Sequence, residues 1–452
     1  MNNDSKRYLA IGLLTHPTGN HVASWMHPGS QIDAGFNFKH YVEVAQLAEQ
    51  GEFDFMFLAD ALAVRGGDLN ALSRWPQYMA YFEPLTLLAG IAARTDRLGL
   101  IATSTTSYND PYAVARRYAS LDHISSGRAG WNVVTSSNQD EALNFGRDKH
   151  FAHDERYARA QEFVEVVRKL WDTWEDDAFL LDRRGARYFT PEKMHPPAHH
   201  GRFFDVEGAL NVPRPPQGHP VIAQAGSSEA GKELAAHSAE IVFVPLHSID
   251  AGTKFSADVK GRLAKYGRRA EDIKVTPGLN VVVGATLEEA MRKKAYLDSL
   301  VHPDVGRLLL STALGGVDLS KCDVNQPLPE DIIPATTNAS QGTLSHVVGM
   351  SRKEGKSLKD LYLEYAGARG QRTLIGTVKD IADEMEAWFE AGAADGFLVQ
   401  PSVTPIDLQD FVRDVVPELQ RRGLMRTSSG AMTLRERLNL SRPSFKSNGS
   451  SK

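Results

Sequence analysis

Short apolar runs alternate with amphipathic helical segments along most of this 452-residue chain. Eight apolar runs predict buried strands, and a helical segment directly follows each of them except the seventh. The predicted strands span residues 8–14, 53–58, 98–103, 129–134, 221–225, 241–244, 273–283 and 396–400. Strand–helix repetition predicts a parallel sheet with crossover helices, and eight such units favour a closed barrel over an open doubly wound sheet. The predicted fold class is therefore α/β, a (β/α)8 TIM barrel.

Two stretches interrupt the alternation and predict insertions at the C-terminal face of the barrel. Residues 176–219 are rich in Pro, His, Arg and Gly and include a predicted hairpin near 203–212, whereas residues 303–370 predict a second, irregular insertion. Residues 1–426 are accordingly predicted to form one domain. Residues 427–452 are polar and rich in Ser, which predicts a loosely held C-terminal tail.

Charge and cysteine content argue against several classes of function. The formal net charge of −5 disfavours binding to nucleic acid or to an anionic membrane, because like charges repel. Cys322 is the only cysteine, so neither an internal disulfide nor a cysteine-rich metal site is expected. No apolar stretch approaches the roughly 20 residues that span a bilayer, and residues 1–7 lack the apolar region of a signal peptide. These features predict a cytoplasmic protein.

Two common cofactor motifs are absent from the sequence. The turn after the first predicted strand reads Thr15-His-Pro-Thr-Gly19 rather than Gly-x-Gly-x-x-Gly, which argues against a Rossmann dinucleotide site. There is no His-Glu-x-x-His motif, and His195, His199 and His200 lie in a Pro-rich segment without matching carboxylates. No catalytic metal is therefore expected.

Polar residues follow or interrupt three predicted strands where a TIM barrel places its active site. Asp60 follows the second strand, although a carboxylate there can equally cap a helix or form a loop salt bridge. Thr103 begins a run of five hydroxyl residues that ends at Ser107, and such runs also satisfy backbone groups. Asn132 lies in an otherwise apolar strand, where its amide is costly to bury unless it is paired. The three residues are candidates for a ligand site.

Residues near two predicted helix starts indicate a phosphate site. The sequence Gly226-Ser227-Ser228 opens a helix, whose free N–H groups and positive dipole end suit an anion. The alternative reading is simple N-capping by Ser227. His153 and Tyr157 are four residues apart on one face at the start of the long helix predicted up to Trp174, where they could also form an ordinary surface pair.

Several motifs occur in order along the chain, from about residue 8 to residue 440. The main ones are Gly130-Trp-Asn-Val-Val-Thr-Ser136, Asn144-Phe-Gly146 and His153-Asp-Glu-Arg-Tyr157, followed by Gln161-Glu-Phe163. Supporting segments are Phe53–Asp60, Ala115–Asp122, Ser126–Arg128, Gln224–Gly226 and Gly392–Phe397. Together they resemble the two-component FMN monooxygenases that include nitrilotriacetate, EDTA and dibenzothiophene-sulfone monooxygenases. These enzymes form one branch of the bacterial luciferase-like superfamily.

The resemblance implies a TIM barrel with FMN lying across its mouth. The flavin contacts that it implies are Asp60, Thr103, His153, Tyr157 and Ser228, with Asn132 and Ser227 as neighbours. Ser228 and Tyr157 would bind the phosphate, in agreement with the helix-start argument. Asp60 and Thr103 would lie nearer the isoalloxazine ring.

The resemblance also implies that two proteins share the reaction. A separate NAD(P)H:flavin reductase would supply reduced FMN (FMNH2). Oxygen would then give a C4a-hydroperoxyflavin that oxygenates a small organic substrate. His153 is the catalytic candidate, since an imidazole titrates near neutral pH, with His16 and His21 as less favoured alternatives. The resemblance further implies a homodimer or homotetramer.

Three other functions stay open from the sequence. The chain could be a metal-dependent TIM-barrel hydrolase, a flavin-binding paralogue without catalysis, or a self-sufficient flavoprotein, although no nicotinamide site is recognisable. Substrates in the family include sulfones, aminopolycarboxylates, thioethers, alkanes and halogenated or heterocyclic aromatics. The sequence does not choose among them, because the pocket would be made by the insertions.

Overall fold

The computed structural model describes residues 7–136, 138–333, 341–428 and 430–447. Within these ranges, ten strands form one all-parallel sheet in the order β11-β10-β12-β1-β2-β3-β4-β7-β8-β9, and β5 and β6 form a separate antiparallel pair. The strands are β1 Ala10–Leu14, β2 Phe55–Leu58, β3 Gly99–Thr105, β4 Ala129–Val134, β5 His199–His200, β6 Asp205–Val206, β7 Val221–Ala225, β8 Ile241–Phe243, β9 Lys274–Val275, β10 Gly278–Val283, β11 Arg372–Gly376 and β12 Gly396–Pro401.

Helices connect the strands and cover the sheet. They are α1 Phe38–Gln50, α2 Leu69–Leu72, α3 Pro84–Ala92, α4 Pro111–Ile124, α5 Gln139–Asn144, α6 His153–Trp171, α7 Glu229–Ser238, α8 Ile249–Arg262, α9 Leu287–Ser299, α10 Pro303–Ala313, α11 Gln341–Glu354, α12 Leu358–Ala368, α13 Val378–Glu390, α14 Ile406–Asp410, α15 Val416–Arg421 and α16 Leu434–Arg437. A π-helical turn, Phe411–Val415, joins α14 to α15. Among the described residues, no helix combines the length and apolar character needed to cross a bilayer.

The parallel α/β architecture is confirmed, but the seventh predicted strand is divided. Only Thr276 and Pro277 separate β9 from β10, and proline interrupts a strand because it has no N–H to donate. The Thr276 amide donates to Val242 in β8 at 2.9 Å, whereas the Pro277 carbonyl accepts from Leu398 in β12 at 3.0 Å. The two parts of this segment therefore contact opposite ends of the sheet order, and the sheet curls back on itself.

The helix α6 provides the main apolar stripe against the sheet. Phe163, Val166, Val167, Leu170 and Trp171 are at most 1% exposed, as their spacing predicts. They belong to the central apolar cluster, together with residues on the sheet and on α1, α3 and α4. This packing fixes the start of α6 beside the carboxyl ends of β4 and β7.

The two segments predicted as insertions differ in internal structure from the expectation. In the first, the antiparallel pairing joins His199 to Val206, so it begins before the predicted 203–212 hairpin. The second is not irregular, because it contains α10, α11 and α12, which we call the helical insertion. The helical insertion has its own apolar cluster, which includes Leu310, Val347 and Leu361 and incorporates Trp75. Polar residues between these helices obscure their periodicity in the sequence.

The expectation of a loosely held tail is wrong for the described residues after 430. Leu434 and Leu438 join a small apolar cluster against strands of the sheet. The Arg435 side chain is 3% exposed and pairs with Glu240, with Nη2 3.0 Å from Oε2. Its Nε also donates to the carbonyl of His219 at 2.9 Å. A charge pair between residues 195 positions apart thus fixes a segment whose composition alone predicts a loosely held tail.

Replacing Arg435 by methionine is expected to lower the free energy of unfolding by about 3–5 kcal/mol, because Glu240 would remain as a buried charge without its partner. Chemical denaturation measures this loss. The matched control is Arg442→Gln, which removes a pair with Asp176 whose two side chains are 44% and 51% exposed, and it should cost less than about 1 kcal/mol. Equal losses in the two variants would contradict the assignment.

The same pair predicts a dependence of stability on pH. Although burial alone would raise the pKa of Glu240, the Arg435 guanidinium holds it below its ordinary value. A carboxyl group whose pKa falls on folding stabilises the protein above its unfolded-state pKa, about 4.3, and this contribution is lost as the pH falls further. We expect the free energy of unfolding to fall more between pH 7 and pH 3 in the parent chain than in Arg435→Met, and unfolding curves across this range measure it.

Candidate active site

A cavity of about 970 Å³ lies at the carboxyl ends of the parallel strands. Its walls come from residues that end or follow five strands and from the helical insertion. They are Leu14, His16, Asn20, Ala59, Arg65, Trp75, Gln77, Tyr78, Thr135, Ser136, His153, Arg156, Tyr157, Gly226, Ser227, Ser228, Phe243, Leu309, Thr312, Ala313, Tyr365, Arg369, Gln371 and Gln400. The volume lies at the upper end of the range of about 300–1,000 Å³ that is typical of pockets for small molecules and cofactors.

The start of α7 contributes hydroxyl and N–H groups to the cavity. Ser228, and not Ser227, is the N-cap, because its Oγ accepts from the Gly231 amide at 3.1 Å. The Tyr157 hydroxyl lies 3.5 Å from Ser228 Oγ. A Cβ placed on Gly226 would have its nearest neighbour at 3.5 Å, so the backbone there is open. Together with the helix dipole, these donors form an environment suited to an anion.

His153 and Tyr157 both line this cavity from the first turns of α6. Their ring centroids are 4.9 Å apart, as expected for residues one turn apart on a helix. The His153 side chain is 52% exposed, and its Nδ1 lies 3.0 Å from a carboxylate oxygen of the exposed Asp154. The imidazole is thus oriented at the cavity edge while it remains accessible to solvent.

Thr103 and Asn132 are neighbours in register on β3 and β4. The Asn132 amide nitrogen donates to Thr103 Oγ1 at 2.8 Å, and that hydroxyl donates to the Leu58 carbonyl at 2.8 Å. Both residues are 3% exposed, and neither belongs to the cavity walls given above. Asn132 Oδ1 is buried and has no hydrogen-bond partner among the described residues. The pair therefore presents one unsatisfied acceptor beneath the strand ends.

Asp60 lies after β2, outside the cavity walls given above. Its Oδ1 is 3.1 Å from the hydroxyl of Tyr81, which also accepts a bond from the Ala61 amide at 2.9 Å. Burial raises the pKa of Asp60 to about 6, and the negative charges of Glu83 and Glu141 act in the same direction. A carboxyl group that titrates near neutral pH beside a ligand-sized cavity is typical of a functional site.

A second group of wall residues follows β1 and β2 or belongs to the helical insertion. Burial, together with the positive charges of Arg369 and Arg65, holds the pKa of His16 well below its ordinary value. His16 is therefore neutral at pH 7, and the Gln77 amide nitrogen lies 3.0 Å from its Nδ1. His21, the other alternative, is buried outside this cavity with Nε2 3.3 Å from Asp298 Oδ1. That contact gives His21 a structural partner on α9.

Several wall residues were missed from the sequence. Gln400 lies in the otherwise apolar β12 with a buried Nε2 that has no hydrogen-bond partner among the described residues. A buried amide in an apolar strand needs a hydrogen-bond partner. This reason, which singled out Asn132, applies equally to Gln400. Arg65 and Arg369 carry no comparable signal, because they belong to a loop and to the end of a helix in the helical insertion. In the described part of the chain, no three His, Cys, Asp or Glu side chains converge on a possible metal site.

Known proteins are similar in sequence to this chain over nearly its whole length. Residues 16–395 match the family described as luciferase-like monooxygenase. The nitrilotriacetate monooxygenase component A of Aminobacter aminovorans is 47% identical over 97% of this chain and 98% of its own length. The N-acetyl-S-(2-succino)cysteine monooxygenase of Bacillus subtilis (strain 168) is 42% identical over 97% of this chain and 98% of its own length.

A solved structure supports the same relationship. The crystal structure of riboflavin lyase (RcaE), determined with modified FMN and riboflavin, superimposes with a TM-score of 0.86 and 32% sequence identity. The match covers 98% of this chain and 98% of that chain.

Proposed function

Because the chain belongs to the luciferase-like monooxygenase family, we propose that it is the oxygenase component of a two-component flavin system. The family identified from the motifs is confirmed, as is the class of enzyme. In this proposal the chain binds FMN in its reduced form (FMNH2), which a separate NAD(P)H:flavin reductase supplies. It then uses O2 to oxygenate a small organic molecule.

One observation carries the proposal: the cavity at the strand ends combines a helix start suited to an anion with the buried, unpartnered Nε2 of Gln400, while the unpartnered Oδ1 of Asn132 lies beneath the same strand ends. The Ser228 cap and the Tyr157 hydroxyl fit a terminal phosphate, since both can donate to its oxygens. Asn132 Oδ1 and Gln400 Nε2 offer one acceptor and one donor, which fit the polar edge of a flavin ring. The residues present therefore fit FMN, with the phosphate on the β7 side.

The other predicted contacts are assigned within the same proposal. Asp60 and Thr103 would lie near the ring, Ser227 would contribute its backbone beside the phosphate, and His153 would act as acid or base at the cavity edge. When bound, reduced FMN supplies the two electrons that convert one oxygen atom of O2 to water while the other enters the substrate. The helical insertion excludes water from this reaction, because its α10 and α12 residues form one wall of the cavity.

The proposal extends to the architecture and the setting of the enzyme. We infer that β9 and β10 act as one strand, so that the sheet closes as an eight-stranded (β/α)8 barrel within a single domain spanning residues 1–426. Strand β11 then adds outside the ring, beside β10. We also propose a cytoplasmic homodimer or homotetramer.

The decisive experiment supplies the purified chain with FMN, NADH, a generic flavin reductase and a panel of candidate substrates. Oxygen consumption and product masses are measured under ¹⁸O2. We expect at least one substrate to acquire a single ¹⁸O atom. A product that forms without flavin and disappears on chelation would indicate a hydrolase instead. Tight FMN binding with no oxygenated product from any class would indicate a paralogue without catalysis.

The phosphate assignment predicts the effect of two small substitutions. The double variant Ser228→Ala, Tyr157→Phe is expected to weaken the binding of FMNH2 about tenfold, because two hydrogen bonds to a charged group are lost. Anaerobic fluorescence or absorbance titration gives the two dissociation constants. The control is Ser248→Ala, which removes an equivalent N-cap on α8 outside the cavity. A similar loss of affinity in the control would contradict the assignment.

A further inference from the structure

Two arginines of the cavity share one aromatic ring. Arg65 follows β2, and Arg369 ends α12 with a left-handed backbone at φ 51°. The Arg65 Cζ lies 3.9 Å from the centre of the Trp75 ring, and the Arg369 Cζ lies 5.5 Å from the same ring. The structure thus holds two positive charges together between the strand ends and the helical insertion.

Neither guanidinium has a carboxylate partner among the described residues. The charged or ionisable groups that act on Arg369 are Arg65 and the phenols of Tyr78 and Tyr365, and those that act on Arg65 are phenols. The Nε atoms of both arginines and Nη1 of Arg369 are buried, and none of them has a hydrogen-bond partner in the described part of the chain. Residues 334–340, outside the described ranges, contain no Asp or Glu in the sequence.

Such an arrangement is unfavourable unless an anion completes it. Stacking on Trp75 offsets part of the cost of burying the guanidiniums but leaves their N–H groups unsatisfied. Burial, together with the charge of Arg65, lowers the pKa of Arg369 to about 9, so Arg369 stays protonated at pH 7 and is repelled by Arg65. A group with two or more negative oxygens is the partner that removes the repulsion and accepts the free N–H donors.

The phosphate of the flavin is not this partner in the arrangement proposed above. The Ser228 and Tyr157 hydroxyls are positioned by β7 and α6, whereas the arginines follow β2 and end α12. In the sheet order, β2 is separated from β7 by β3 and β4. The two sets of donors thus stand on different elements of the cavity, and we assign them to two separate anionic groups.

We propose that Arg65 and Arg369 bind a carboxylate group of the substrate, so that this enzyme oxygenates small organic acids in preference to neutral molecules. The inference rests on the proposed function, since it assumes that the rest of the cavity holds FMN. Gln371 and Asn20 line the cavity, and each has a buried side-chain oxygen without a hydrogen-bond partner among the described residues. These oxygens can accept from N–H or O–H groups elsewhere on such an acid.

Equilibrium binding tests the inference without knowledge of the natural substrate. A series of linear dicarboxylates from succinate to adipate is titrated against the corresponding diamides by calorimetry, with FMN present. We expect at least one dicarboxylate to bind, and its diamide to bind at least tenfold more weakly. Arg369→Gln and Arg65→Gln should each weaken the binding of that dicarboxylate at least tenfold. Arg369→Lys should recover part of the lost affinity. Equal binding of acids and amides, or no binding of either, would overturn the inference.

Two further readouts separate this inference from the proposed function. Arg372→Gln, three residues beyond Arg369, removes a partner of Glu384 outside the cavity walls and should leave dicarboxylate binding unchanged. Affinity for FMNH2 should stay within about twofold in all arginine variants, which also shows that they fold. If an arginine variant loses its affinity for FMNH2 but keeps its affinity for the dicarboxylate, the arginines bind the flavin phosphate instead. Failure of the parent chain to bind FMNH2 would instead refute the proposed function.

Discussion

Replacing Asn132 by leucine is expected to weaken FMNH2 binding about 100-fold or more and to abolish coupled oxygenation. The substitution removes the donor to Thr103 and the buried Oδ1 that awaits a partner. It also places branched carbon beneath the strand ends, where the residue is only 3% exposed. An unpaired polar group and overpacking each cost about 1–3 kcal/mol, which together correspond to this loss of affinity. Anaerobic titration measures it directly.

A matched control separates loss of the site from loss of the fold. Asn280 is a 1% exposed amide in the otherwise apolar β10. Like Asn132 it lies outside the cavity walls, but its Oδ1 already has a hydrogen-bond partner within the protein. Asn280→Leu also breaks one buried contact, to Ser402 at 3.1 Å. Both variants should lose comparable stability, but only Asn132→Leu should lose FMNH2. Retention of full affinity in Asn132→Leu would place the flavin away from β4.

Leu361→Asp is expected to uncouple the reaction, so that O2 is consumed without a matching amount of oxygenated product. Leu361 is fully buried in the apolar cluster of the helical insertion, which is distinct from the central cluster of the sheet. A carboxylate there costs more than roughly 3 kcal/mol, which is enough to shift the helical insertion from mostly closed to mostly open. Water then enters the cavity, and we expect product per O2 to fall about 100-fold while hydrogen peroxide rises.

The measurement combines oxygen uptake, peroxide assay and product analysis with the substrate identified by the ¹⁸O2 experiment. Leu287→Asp places the same charge on α9 at a position that is 51% exposed, and it should leave coupling unchanged. FMNH2 affinity should change far less than coupling, because the proposed flavin contacts lie outside the helical insertion. Normal product yield in Leu361→Asp would show that the helical insertion does not exclude water.

The sequence predicts the strands and their polar ends well, because periodicity and burial cost act locally. Thr103 and Asn132 lie in neighbouring strands, and the structure pairs them across β3 and β4. Ser228 is the N-cap of α7, whereas the capping alternative considered from the sequence named Ser227. Asn132 was found because an amide is costly in an apolar strand, and the same reasoning extends to Gln400.

The residues that the sequence did not reveal depend on packing between distant segments. Arg65 and Arg369 are about 300 positions apart, and only the shared ring of Trp75 brings them together. The composition around Arg435 predicts a polar tail, and only the structure shows that Arg435 pairs with Glu240. Pairings between charged groups follow no periodicity, so composition can predict their exposure but not their partners.

We propose that polar groups at the ends of this parallel sheet bind reduced flavin mononucleotide. Equilibrium dialysis of the purified chain against FMNH2 under strict exclusion of oxygen tests it most directly. We expect saturation at one FMNH2 per chain, with affinity lost in Asn132→Leu and kept in Asn280→Leu. No retention of FMNH2 by the folded parent chain would contradict it.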